Sequence, residues 1–119
     1  MIDFSIPMSL LKDNFMNVQN IGKIRNSKNI GKSKSGFCGD TIETYLTIEN
    51  GIIKDAKYQA CGCWALIGSA SIFSEYIKNK KVDDINNMSD KEYISLLGDV
   101  PEEKINCTLV TKKGFLDAI

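Results

Sequence analysis

The stretch "TIETYLTIENGIIKDAKYQACGCW", residues 41–64, decides the fold. Its first half alternates, with Ile42, Leu46 and Ile48 on one side of an extended strand and Glu43, Tyr45 and Glu49 on the other. Asn50-Gly51 follows, a pair that accepts the backbone conformation of a tight hairpin, and "IIKDAKYQA" returns as the partner strand. The register follows from where charge can go. A strict two-residue connection would set Leu46 against Asp55 and Thr44 against Lys57, placing charge on the apolar face. One extra residue sets Leu46 against Ala56 and Thr44 against Tyr58, so the expectation is a bulged three-residue turn.

Downstream, Trp64 to Lys80 reads as the strongest helix of the chain. Ile67, Ala70, Phe73 and Ile77 form its apolar stripe, and the lysines near its end suit the helix dipole. Gly68, Ser69, Ala70 and Ser71 make poor helix surface but permit close approach of another backbone. Further helices are expected over residues 82–87, 90–97 and 103–119; Ser89 starts and Gly98 ends the middle one, and Pro101 suits the turn before the last. Upstream, residues 7–16 read as a short helix carrying Leu10, Leu11 and Phe15. "GKIRNSKNIGKSKSG", residues 22–36, reads as a mobile loop with one edge strand around Lys28 to Lys32. Strands first and helices afterwards indicate an α+β fold: a small antiparallel sheet of about three strands packed against several helices. The length suits one domain spanning residues 1–119.

Fifteen basic residues balance fifteen acidic ones, so no overall field draws in nucleic acid or an anionic membrane. The N-terminus lacks a basic start followed by an uninterrupted apolar run, so no signal peptide is expected, and no segment has the apolar length of a membrane span. Four cysteines in a chain read as unexported point to a reducing, cytoplasmic setting, where thiols more often bind metal or react than form disulfides. There is no histidine. Any metal site must therefore draw on Cys, Asp or Glu.

Three places offer that chemistry: Cys38-Gly39-Asp40 ahead of a strand, Cys61-Gly62-Cys63 between strand and helix, and Cys107 near the start of the last helix. A thiol at a helix N-terminus meets the positive end of the dipole, which favours the thiolate, and Cys63 and Cys107 both have that position. Three thiolates and a carboxylate suffice for a tetrahedral zinc site, or for iron with one harder, weaker ligand. Taken singly, each cysteine is as readily explained as core packing.

Together these residues resemble the scaffold proteins of iron–sulfur cluster assembly, the IscU type and the N-terminal domain of NifU. "NFMNVQNIG" (residues 14–22) is similar to a start of the form HFxNPxNxG, and Cys38-Gly39-Asp40 to a CGD before the first long strand. "DAKYQACGCWALIGSAS" (55–71) resembles DAxFxxxGCxxAIASSS, and "PEEKINCTLVTKKG" (101–114) resembles PxEKxHCSxLAxxA. The resemblance implies that Cys38, Cys63 and Cys107 hold a nascent 2Fe–2S cluster, iron, or a zinc ion. It further implies that Asp40 keeps the cluster labile and that Lys104 stands beside the site. Sulfur would arrive from a pyridoxal-phosphate cysteine desulfurase with Cys107 as persulfide acceptor, and the cluster would leave for apo iron–sulfur acceptor proteins. On this footing the chain is a scaffold rather than an enzyme; a zinc-primed sulfur transferase and a structural zinc protein are the alternatives.

The departures are specific. Asn106 replaces the histidine before the last cysteine, and an amide is a poor ligand for either metal. The chaperone-recognition LPPVK reads Val100-Pro101-Glu102-Glu103-Lys104, which argues against a dedicated Hsp70 partner. Cys61 aligns with an aromatic position. In an unbroken strand residues 61 and 63 project from one face, which would let Cys61 stand in for the missing histidine. Its apolar neighbours Tyr58, Ala60 and Ala56 instead assign it the part of a small hydrophobe, dispensable for assembly.

Overall fold

A computed structural model describes residues 10–35 and 39–119, apart from the Lys12 side chain. The chain runs α1 (Leu10–Met16), β1 (Asn29–Lys34), β2 (Thr41–Glu49), β3 (Ile52–Cys61), α2 (Trp64–Ile77), α3 (Val82–Asn86) and α4 (Asp90–Leu97). A 3-10 turn (Glu102–Lys104) then leads into α5 (Ile105–Asp117). The α+β expectation holds: an antiparallel sheet in the order β1-β2-β3 carries α2 and α5 on one face.

The hairpin has the expected register, Leu46 opposite Ala56 and Thr44 opposite Tyr58. The extra residue is elsewhere. Glu49 pairs with Ile52, so the connection is the two residues Asn50 (φ 53°) and Gly51 (φ 75°), both left-handed as a type I′ turn requires. The shift comes inside the strand, where Thr47 faces Asp55 and Ile48 faces Ile53, leaving exposed Lys54 as the bulge. Asn-Gly meets the demands of the tight turn, and a lysine pointing to water is the residue that loses least by leaving the ladder.

Helix α2 is buried on more than its predicted stripe. Gly68, Ser69, Ser71 and Ser74 are buried as well, because α1 and α5 pack against that small-residue side. A Cβ on Gly68 would lie 2.4 Å from the Leu11 carbonyl oxygen of α1. The helix stops at Ile77; Asn79 turns left-handed (φ 66°), and beyond it the Lys80 carbonyl accepts from Ile53 N–H of β3 with Lys81 opposite Ile52, instead of extending the helix. Helix α4 has a complete capping box, Ser89 accepting from Glu92 N–H while the Glu92 carboxylate accepts from Ser89 N–H. The predicted start of α1 at residues 7–9 lies outside the described residues.

The core joins sheet and helices through aromatic rings set edge to face. Phe73 of α2 meets Tyr93 of α4 at 4.9 Å and Phe115 of α5 at 5.7 Å, and Phe115 meets Tyr58 of β3 at 6.3 Å. Helix α5 comes closest to the sheet where two glycines face each other. A Cβ on Gly31 would lie 2.2 Å from the Gly114 carbonyl oxygen and 2.5 Å from the Ala118 nitrogen. Thr44 Oγ1 donates to that same Gly114 carbonyl at 2.7 Å, and Lys32 N–H donates to Asp117 Oδ2 at 2.9 Å. Strand β1 therefore exists, and runs two residues beyond its expected end, because it is the shelf on which α5 rests.

Gly31→Ala should destabilise the protein by about 3 kcal/mol, since the colliding atoms are backbone and cannot turn aside. A denaturant midpoint equal to that of the parent, at equal slope, would contradict the close approach of α5 to β1.

Candidate metal centre

The last rung of the hairpin, Thr41 opposite Cys61, places the residues just outside it side by side: Asp40 on one strand, Gly62 and Cys63 on the other. Cys63 is the N-cap of α2 and its side chain does not cap the helix. Its backbone N–H, one of the donors left over at a helix start, donates to Asp40 Oδ1 at 3.2 Å. Cys63 Sγ lies 3.6 Å from Asp40 Oδ2. The Asp40 carboxylate thus sits at the positive end of α2, which favours its charge. A Cβ on Gly62 would be 2.3 Å from Asp40 Oδ1 and 2.8 Å from Leu66 Cδ2, so only glycine leaves room for the carboxylate.

Cys107 comes from the opposite direction, in the first turn of α5, and is 5% exposed. One ligand atom each from Asp40, Cys63 and Cys107 lies within 4.8 Å of the other two, the only such trio among the described residues. A tetrahedral ion with bonds of about 2.3 Å separates neighbouring ligands by about 3.8 Å, so small inward movements would bring the three onto one ion. Asp40 is itself only 2% exposed, and among the described residues no lysine or arginine pairs with it. A carboxylate taken out of water calls for a cation.

The Cys107 thiol departs from its expected activation. Burial, reinforced by the neighbouring Asp40 and Cys63, pushes its pKa well above the ordinary thiol range. The dipole cannot offset this, because α5 continues directly from the 3-10 turn and its N-cap, Lys104, already has helical backbone angles. With its pKa raised, Cys107 is a thiol that a bound cation would convert to thiolate.

The remaining expected residues are placed as follows. Cys38 lies outside the described residues. Lys104 ends the 3-10 turn three residues before Cys107, half-buried and without an ion pair to Asp40 among the described residues. Cys61 is exposed and does not join the trio, which corrects its reading as a small hydrophobe. Strand alternation is the reason: Ala56, Tyr58 and the half-buried Ala60 face the helices, whereas Cys61 projects with Gln59 from the open face, and Gly62 turns Cys63 away from it. Gly62, the glycine beside Cys63 that leaves room for a ligand to approach, gives that room to the Asp40 carboxylate, which the hairpin register sets against it.

Residues 9–119 match the NifU-like N terminal domain family, and the chain belongs to that family. It is 39% identical over 112 residues to the iron-sulfur cluster assembly protein IscU of Plasmodium falciparum, a match covering 92% of this chain and 68% of that one. It is 30% identical over 107 residues to the iron-sulfur cluster assembly scaffold protein IscU 1 of Archaeoglobus fulgidus, covering 90% of this chain and 70% of the relative. In fold it resembles a protein of Fervidobacterium islandicum assigned as an iron–sulfur cluster assembly scaffold of the SUF system. That likeness has a TM-score of 0.75 at 21% identity over 98% of both chains.

Bound zinc should protect Cys63 and Cys107 from alkylation while leaving exposed Cys61 reactive. Mass spectrometry of iodoacetamide-treated protein with and without zinc reads this directly. Equal protection of Cys61 and Cys63 would contradict the assignment.

Proposed function

We propose that the protein is a scaffold on which an iron–sulfur cluster of the 2Fe–2S type is built from iron and sulfide and from which it is passed to apo acceptor proteins. The observation that carries this reading is the meeting of Asp40, Cys63 and Cys107 ligand atoms within 4.8 Å, in a chain of a family whose relatives bear scaffold names. Soft thiolates suit iron and sulfide; a carboxylate is a harder and weaker partner for the same iron. A site of three thiolates and a carboxylate therefore holds a cluster less firmly than four thiolates would, as a protein that must surrender its cargo requires.

In this reading Cys38, two residues before Asp40 in the sequence, supplies the third thiolate. Cys107 accepts sulfur: its thiolate attacks the outer sulfur of a persulfide carried by a pyridoxal-phosphate cysteine desulfurase, and the donor's own cysteine leaves as thiolate; two electrons from a thiol reductant then release that sulfur as the sulfide the cluster takes up. The raised pKa of Cys107 makes this step depend on a cation at the site, so iron or zinc primes the acceptor. Lys104, three residues before Cys107, adds positive charge beside the persulfide. The protein contributes binding and transfer and is not itself an enzyme. No helix among the described residues is long and apolar enough to cross a membrane, and a cytoplasmic setting is the compartment this reading takes.

Anaerobic incubation with ferrous iron, cysteine and a cysteine desulfurase should produce the visible sulfide-to-iron charge-transfer bands of a 2Fe–2S cluster. Persulfide on Cys107 without colour would overturn the scaffold reading in favour of simple sulfur transfer.

Asp40→Ala should still assemble a cluster but release it several-fold more slowly to an apo-ferredoxin. Transfer at the parent rate would show that the carboxylate is not the labilising group.

A further inference from the structure

Cys63 and Cys107 stand on different helices, so the width of the metal site is the relative position of α2 and α5. Apolar packing between two helices resists separation but is tolerant of sliding, whereas a buried hydrogen bond is directional and not easily given up. One such device joins the two helices immediately behind the thiols. The Ser69 hydroxyl of α2 and the Thr111 hydroxyl of α5 are 2.9 Å apart. Both also reach the carbonyl oxygen of Leu66, Ser69 at 2.9 Å and Thr111 at 3.2 Å. Both residues are 0% exposed. Leu66 lies one helical turn beyond Cys63, and Thr111 one turn beyond Cys107.

The proton count closes. Each hydroxyl has one proton, so the one that donates to Leu66 C=O accepts from the other, and the arrangement is satisfied in either sense. Beside it the Tyr93 hydroxyl of α4 donates to the Thr108 carbonyl at 2.6 Å, fixing the first turn of α5 one residue from Cys107. Pulling Thr111 away from Ser69 would break both of its hydrogen bonds to α2 in a water-free place.

Resting on the metal-site reading above, we propose that Ser69 and Thr111 are positioning residues that set the Cys63–Cys107 spacing through their shared hydrogen bond to the Leu66 carbonyl. They touch no ligand atom of the site in the contacts described; their effect is transmitted through one turn of each helix.

The test is an anaerobic cobalt(II) titration of the full chain, reading the thiolate-to-cobalt charge-transfer and ligand-field bands, with far-UV circular dichroism confirming that each metal-free variant is folded at the titration temperature. Thr111→Val and Ser69→Ala should each bind cobalt about tenfold more weakly, the size expected when support behind metal ligands is removed, and with displaced ligand-field bands. Thr111→Ser, which keeps the hydroxyl, should restore both affinity and spectrum. Ile85→Ala, a core truncation on α3 at the far end of the hairpin, lowers stability without touching the clamp and should leave both unchanged. Parent-like affinity and bands in Thr111→Val and Ser69→Ala would overturn the proposal, as would an equal loss in Ile85→Ala. If Thr111→Val fails to fold, Ser69→Ala decides by the same two readouts. A parent chain that binds no cobalt would instead remove the metal-site reading on which the proposal stands.

Discussion

A carboxylate buried without a cation is the constraint around which one end of the protein is organised. Asp40 is almost wholly withdrawn from water, accepts the N–H at the start of α2, and lies within reach of the thiols of Cys63 and Cys107. Removing a charged carboxylate from water is unfavourable unless charge or donors replace the solvent. The helix start supplies part of that replacement and no basic side chain among the described residues supplies the rest. Burial, with Asp40 and Cys63 adding to it, raises the pKa of Cys107, a cost that a cation in the site would offset. Gly62 is the local consequence, a residue without a side chain where the carboxylate needs the space.

The rest of the fold serves to bring α2 and α5 to that carboxylate. The hairpin delivers α2, because the end of β3 leads into the helix through only Gly62 and the N-cap Cys63. Helix α5 is delivered by the sheet and by α2 together. Gly31 and Gly114 allow it to lie almost on the backbone of β1, Thr44 bonds it to β2, and Thr111 bonds it to α2. Small residues recur at each of these crossings because the approach is set by backbone, not by interlocking large side chains. The aromatic core of Tyr58, Phe73, Tyr93 and Phe115 supplies the bulk burial.

Much of this was legible in the residues. The alternation of "TIETYLTIE" and the Asn-Gly pair fixed the hairpin register, because any other pairing put charge on the apolar face. That register already implied that Asp40 and Gly62 are neighbours. The position of the bulge was not legible: both candidate places satisfy the same pairing, and the choice rests on how readily Asn50-Gly51 adopts positive φ without help. Strand β1 was seen only in part, since "NIGKSK" has little intrinsic preference for extension and takes its shape from contact with α5, far away in sequence. Cys107 had no local rule to place it beside Cys63; the resemblance did that. Cys61 was misread through its neighbours, because alternation sends it to the opposite side from Ala60 and Tyr58.

The central claim is that a carboxylate and at least two thiolates share one ion. X-ray absorption at the zinc edge of the zinc-loaded protein measures that shell. The geometry predicts sulfur at about 2.3 Å together with oxygen at about 2.0–2.2 Å, the oxygen contribution falling in Asp40→Ala. An all-sulfur shell, or a shell unchanged by loss of Asp40, would contradict it.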